Sequence, residues 1–164
     1  MKRVYIITGA AGHLAGTIIQ YLRKTECEIR GLILPSENGE SDSQITYYKG
    51  DITKPESLEE IFSGLSGAEV IVIHAAGLIS IGSNITPQLY SINVQGTKNI
   101  IGQCMRHPVK RLVYVSSVHA IPETEEKATI SEAEGLWLWE KFRQTCCMKT
   151  ARELLLSFRM FFST

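Results

Sequence analysis

A short β-branched run, Val4, Ile6 and Ile7, stops at Thr8-Gly9-Ala10-Ala11-Gly12, and helical spacing then takes over with Leu14, Ile18, Tyr21 and Leu22. A continuous apolar run is how a strand buried on both faces of a parallel sheet reads. Residues 13–24 are the helix, and Glu28-Ile29-Arg30-Gly31-Leu32-Ile33-Leu34 returns to strand character before Pro35. Strand, helix, strand is a βαβ unit, and its glycine turn lies where such a turn has mechanical meaning. Gly9 supplies the backbone freedom of a tight turn and Gly12 lets an anion approach the main chain. The helix start supplies unpaired N–H donors and positive potential. The bland alternative is a glycine turn with no ligand, and the flanking strand and helix weigh against it. No G-K-[ST] follows, which excludes a P-loop.

The alternation continues along the chain. Ser36-Glu37-Asn38-Gly39-Glu40-Ser41-Asp42 is a polar surface loop, and residues 45–49 form a third strand. Thr53-Lys54-Pro55-Glu56 has the capping-box pattern, and Leu58, Ile61, Phe62 and Leu65 follow on one helical face, which predicts a second crossover helix. Residues 69–74 form a fourth strand. Thr86-Pro87 reads as an N-cap with proline at the first helical position, opening a helix that runs to about Arg106. A fifth strand covers residues 110–115. Strands of buried type alternating with helices imply an α/β fold with a doubly wound parallel sheet, because right-handed crossovers put helices on both faces.

With 164 residues, the chain has room for one domain. Seventeen Lys and Arg balance seventeen Asp and Glu, so the electrostatic footprint of a nucleic-acid binder is missing. Cys27, Cys104, Cys146 and Cys147 form no C-x-x-C pair and no zinc spacing, so reduced thiols, no metal and a cytoplasmic location are expected. Lys2-Arg3 before an apolar run imitates a signal peptide, but Thr8-Gly9 ends that run too early. The mostly apolar stretch 70–81 contains His74 and is too short to cross a bilayer, so no membrane partner is expected.

Five motifs, in order, carry a family resemblance: Thr8-Gly9-x-x-Gly12, Gly50-Asp51-Ile52, His74-Ala75-Ala76-Gly77, Asn93-Val94-x-Gly96-Thr97 and Tyr114-Val115-Ser116-Ser117. Together they resemble the extended short-chain dehydrogenase/reductase family, which includes NAD-dependent epimerases and dehydratases, over residues 3 to about 121. The resemblance implies a Rossmann sheet of strand order 3-2-1-4-5 and a bound NAD or NADP. It assigns the cofactor to Gly9, Ala11, Gly12, His13, Leu14, Asp51, Ile52, Ala75, Ala76, Gly77, Ser116 and Lys149. Asp51 would border adenine and residues 75–77 the nicotinamide ribose, and His13 would give its backbone N–H rather than its ring.

There are departures. Ala15 stands at the usual third glycine, with Gly16 one place late, and alanine is small enough for close helix packing. The carboxylate expected at the end of strand two is missing, Glu37 being the first one afterward. No Arg stands at that strand end and Arg30 comes too early, so the lean is to NAD. Asn93 lies on an i, i+3, i+4, i+7 stripe with Leu89, Ile92, Gly96, Thr97, Ile100, Ile101 and Cys104, facing the sheet. A buried amide needs partners, so Asn93 is expected to support backbone groups.

The family's hydride transfer uses Ser, Tyr and Lys, with Tyr and Lys spaced Y-x-x-x-K so that an ammonium one helical turn away lowers the phenol's pKa. Ser117 and Lys149 match the catalytic Ser and Lys. None of Tyr5, Tyr21, Tyr47, Tyr48, Tyr90 and Tyr114 has Lys four residues later, and Thr145 stands in the matching register. An aliphatic hydroxyl is a poor proton shuttle, so catalysis by this chain is expected to be impaired. Residues 135–164 hold both tryptophans, four of the five phenylalanines and the Cys146-Cys147 pair. Two readings stand: an amphipathic helical tail, or an altered or truncated version of a longer relative, for example through a shifted reading frame. A single domain over 1–164 without a substrate domain is expected. The substrate expected from the resemblance is a sugar-like or small carbonyl or alcohol, and the family suggests a homodimer. A hydrolase is disfavoured, since no G-x-S-x-G elbow accompanies Ser117 and His119. The rival readings are a non-catalytic dinucleotide-binding module and a non-functional fragment.

Overall fold

In the computed structural model, residues 2–79 and 86–116 are described. Five strands, β1 (Arg3–Thr8), β2 (Glu28–Ile33), β3 (Ile45–Lys49), β4 (Glu69–His74) and β5 (Val109–Tyr114), form one sheet in the order β3-β2-β1-β4-β5. Every pairing is parallel. This is the doubly wound sheet expected. The order in which the chain adds strands reverses between β1 and β4, the point where the open crevice of such sheets lies beyond the strands' carboxyl ends.

Alternation along β1 shows why the strand is apolar throughout. Val4 and Ile6 join Leu32, Val70, Val72, Ile100 and Phe62 on one face, whereas Ile7 joins Ala15, Ile19, Ile29, Ile33 and Ile45 on the other. The second face is covered by α1 (His13–Leu22), which buries Ala15, Ile19 and Leu22. Ala15 is only 1% exposed and does the close packing, whereas a Cβ on Gly16 would meet nothing within 4 Å. The displaced glycine is therefore not what lets α1 approach the sheet.

The crossover helix expected after Thr53 is not formed. A single 3-10 turn, Pro55–Leu58, is followed by bends closed by i→i+3 bonds such as Ser63 N–H to Glu60 and Ala68 N–H to Leu65. The capping box fails because Thr53 turns its hydroxyl back to Asp51 Oδ1 (2.8 Å) and no side chain caps the turn. Gly64 and Gly67, at φ +62° and +74°, then take the chain out of helical space. Leu58, Ile61, Phe62 and Leu65 are nonetheless buried together, so the apolar stripe is satisfied without a helix.

The other connection is helical as expected, with one irregularity. Thr86 accepts the Leu89 N–H on its side chain and caps α2 (Pro87–Tyr90). A π-helical segment, Ser91–Gly96, then leads into α3 (Thr97–Arg106), and the backbone stays right-handed helical at both junctions. Gly96 lies against Ile52, where a Cβ would come within 2.6 Å of its Cδ1. Cys27 and Cys104 are free thiols, and burial pushes Cys104 up to about 12. No helix among the described residues is long and apolar enough to cross a membrane.

Candidate functional site

Beyond the carboxyl ends of β1 to β4 lies a groove of about 590 Å³, within the usual range for small-molecule and cofactor sites. Gly9, at the end of β1, forms its floor with φ +67°. A Cβ there would stand 2.9 Å from Ala76 Cα and 3.0 Å from Ala76 N, so backbone meets backbone with no room for a side chain. Gly12 N–H closes the turn on Gly9 carbonyl (2.9 Å), and Gly12 is the N-cap of α1 with no side-chain cap. The first intrahelical bond is Gly16 N–H to Gly12 carbonyl. The amides of His13, Leu14 and Ala15 are thus left facing the helix N-terminus, where an anion is stabilised by their N–H groups and by the helix dipole.

One wall comes from β2 and β3. Leu34 N–H donates to Glu37 Oε2 (2.8 Å), Glu37 N–H donates back to Leu34 carbonyl (3.0 Å), and Lys49 Nζ donates to Glu37 carbonyl. This tight turn brings Glu37 into the groove lining beside Leu34. Asp51, also lining it, accepts Thr53 N–H and Oγ1–H on Oδ1. Arg30 is committed elsewhere: its guanidinium donates to Ile61 and Ser63 carbonyls (2.9 and 2.6 Å) and pairs with Glu28.

The opposite wall is segment 75–78, joined by Gln88, Ser91 and Ile92. His74, fully buried at the end of β4, has Nδ1 2.6 Å from Thr8 Oγ1 and Nε2 3.0 Å from Thr97 Oγ1. Thr97 donates its only hydroxyl proton to Asn93 carbonyl (2.7 Å), so it accepts from His74 Nε2–H. Nδ1 is then the acceptor for Thr8, whose oxygen accepts Ala76 N–H (3.1 Å). Burial holds this imidazole neutral, lowering its pKa from 6.5 to about 4. The Asn93 side chain accepts Leu78 N–H and donates to Leu78 carbonyl, both at 2.8 Å.

Of the residues assigned to a cofactor from the sequence, the structure brings Gly9, Gly12, Asp51, Ile52, Ala75, Ala76 and Gly77 around this groove. Ala11, His13 and Leu14 are exposed at the start of α1, and Ser116 is exposed past β5, none of them in the groove lining. Ser117 and Lys149, with Thr145, lie outside the described residues. Gln88, Ser91, Ile92 and Leu78 were missed by sequence reasoning. The first three fall at i, i+3, i+4 on the chain that follows the Thr86 cap, a spacing that could have found them.

The sequence matches the pattern of the 3-beta hydroxysteroid dehydrogenase/isomerase family over residues 6–153. The chain belongs to that family. The family sits within the extended short-chain dehydrogenase/reductases that the five motifs resemble. Among relatives, 3 beta-hydroxysteroid dehydrogenase type 7 of Mus musculus is 32% identical over 127 residues, covering 72% of this chain and 33% of that protein. Sterol-4-alpha-carboxylate 3-dehydrogenase, decarboxylating, of Schizosaccharomyces pombe is 32% identical over 145 residues, covering 83% and 39%. This 3-beta hydroxysteroid dehydrogenase/isomerase family chain thus spans about a third of the length of those curated relatives. Its fold is similar to an epimerase of Methanothermobacter thermautotrophicus, with TM-score 0.79 and 17% identity over 99% of this chain and 49% of that one. It is also similar to a Thermus thermophilus UDP-glucose 4-epimerase solved with NAD, with TM-score 0.71 and 19% identity over 94% and 50%.

Proposed function

We propose that this chain binds a nicotinamide dinucleotide in the groove, as the cofactor-binding portion of an oxidoreductase. The observation that carries the reading is the Gly9–Gly12 turn: backbone packed on Ala76 without room for a Cβ, opening onto the uncapped start of α1. The amides of His13 and Leu14, left unpaired beside the Gly9–Gly12 turn, would hold the diphosphate. Asp51 and Ile52 would border the adenine, and segment 75–77 the nicotinamide ribose. When bound, the dinucleotide supplies a hydride acceptor or donor, and the chain's contribution is to bind and orient it.

Glu37 supports NAD over NADP. Its carboxylate reaches the groove from the Leu34 turn, where a 2′-phosphate would meet like charge, and Arg30 is spent on Ile61 and Ser63. Lys49 Nζ donates to Glu37 carbonyl. For the whole protein, the family supports oxidation of a steroid or sterol secondary alcohol, a more apolar class than the sugar-like or small carbonyl or alcohol substrate expected from the motifs. Within this chain, no Tyr precedes a Lys by four residues, which favours dinucleotide binding without turnover.

Calorimetry with NAD and NADP tests the reading. Saturable NAD binding, weaker NADP binding and a reduced preference in Glu37→Gln are the expected results, and folded protein binding neither dinucleotide would overturn it. Thr145→Tyr, assayed with NAD and a hydroxysteroid, separates the two catalytic readings. Turnover gained by that variant would mark an enzyme lacking only its phenol, and NAD binding without turnover would mark a binding module.

A further inference from the structure

Segment 75–78 is held at both ends by one connected set of hydrogen bonds, and His74 is its centre. Ala76 N–H is fixed by Thr8 Oγ1, Thr8 by His74 Nδ1, His74 Nε2–H by Thr97, and Thr97 by Asn93 carbonyl. Asn93 in turn grips both backbone groups of Leu78. Each hydroxyl in the chain donates once and accepts once, so the set closes only for a neutral imidazole protonated on Nε2. Thr8 on β1 and Thr97 on α3 are the partners that select that form, and the Tyr114 ring on β5 is centred 5.7 Å from the imidazole. Ala76 is also the residue against which Gly9 packs, a Cβ on Gly9 standing 2.9 Å from Ala76 Cα, so segment 75–78 and the glycine turn share a backbone contact on the groove floor.

We propose that His74 is a positioning residue for dinucleotide binding: through Thr8 and Thr97 it sets segment 75–78 in register with the Gly9 turn. It touches no ligand itself, and the proposal rests on the dinucleotide reading of the groove. Loss of the set lets Ala76 drift and weakens binding out of proportion to any loss of stability.

The test is NAD binding by the 164-residue chain, measured as Kd at a temperature where each variant is folded, alongside melting without ligand. Thr8→Val keeps the shape of the side chain but neither accepts from Ala76 nor donates to His74, and is expected to weaken NAD at least fivefold. Thr8→Ser restores the hydroxyl and is expected to restore affinity. His74→Phe should weaken NAD similarly, and His74→Asn should regain affinity, because an amide oxygen near the Nδ1 position can accept from Thr8. The ring nitrogens of His74 should show the Nε2–H tautomer by NMR. Folded Thr8→Val binding NAD within fivefold of the parent overturns the proposal. So does a His74 tautomer protonated on Nδ1. Should His74→Phe fail to fold, the Thr8 pair decides alone. A parent chain that binds neither NAD nor NADP overturns the dinucleotide reading and this inference with it, whereas a binding parent with indifferent variants overturns only the inference.

Discussion

At Gly9 two requirements coincide. A φ of +67° is a region that side-chain-bearing residues avoid by roughly 1–2 kcal/mol, and a Cβ would in addition stand 2.9 Å from Ala76 Cα. Gly9→Ala should therefore destabilise the fold by more than about 2 kcal/mol in urea denaturation, since the neighbour is backbone and cannot rotate away. Gly16 is the opposite case. It is helical, and its missing Cβ faces open space. Gly16→Ala should stabilise by about 0.5–1 kcal/mol without touching the groove. Both effects are read in one denaturation series.

The elements divide by how their geometry is encoded. β4 is set by the apolar run 70–73 and β3 by β-branched and aromatic residues, so both fall where the sequence predicts, and the Thr86-Pro87 cap opens its helix as expected. The stretch from Thr53 to Leu65 was not legible as turns, because its apolar spacing also fits a face built from 3-10 bends. What decides is a side-chain competition: Asp51 takes the Thr53 hydroxyl that a capping box would use. Asn93 was legible as a buried amide in need of partners, but not that its partners are both backbone groups of Leu78, 15 residues upstream. The π segment Ser91–Gly96 was not legible either, since an inserted residue leaves no mark on a window of apolar spacing. Thr86→Ala removes the cap bond to Leu89 N–H and should cost about 1 kcal/mol, measured as a lowered urea midpoint with unchanged slope. Asn93→Leu should cost more, roughly 1–3 kcal/mol, because it removes both hydrogen bonds that the buried amide makes to the Leu78 backbone.

For the whole molecule, His74 makes stability depend on pH. Its pKa falls from 6.5 to about 4 on folding, through burial. The unfolded chain therefore binds more protons between those values, and stability declines as pH drops through that window, its full contribution being present above 6.5. Carboxylates act lower down. Asp42 is held at about 2, first by the Gln44 and Ile45 amides and then by Arg23. Glu69 is lowered by Lys110, and Glu28 is lowered because its bonds to Lys2 and Arg30 outweigh burial. Their ordinary values of 4.5 and 3.8 put their losses below the upper part of the His74 window. Urea denaturation from pH 7 to 5 should show stability falling in the parent and a shallower fall in His74→Asn.

The central claim is that backbone amides of the glycine turn grip a dinucleotide's diphosphate, and an amide NMR titration with NAD tests it most directly. Saturable shifts concentrated at Gly9, Gly12, His13, Leu14, Ala76 and Gly77 are predicted. Shifts that spare this turn, or a spectrum of the folded chain that NAD leaves unchanged, would contradict the account.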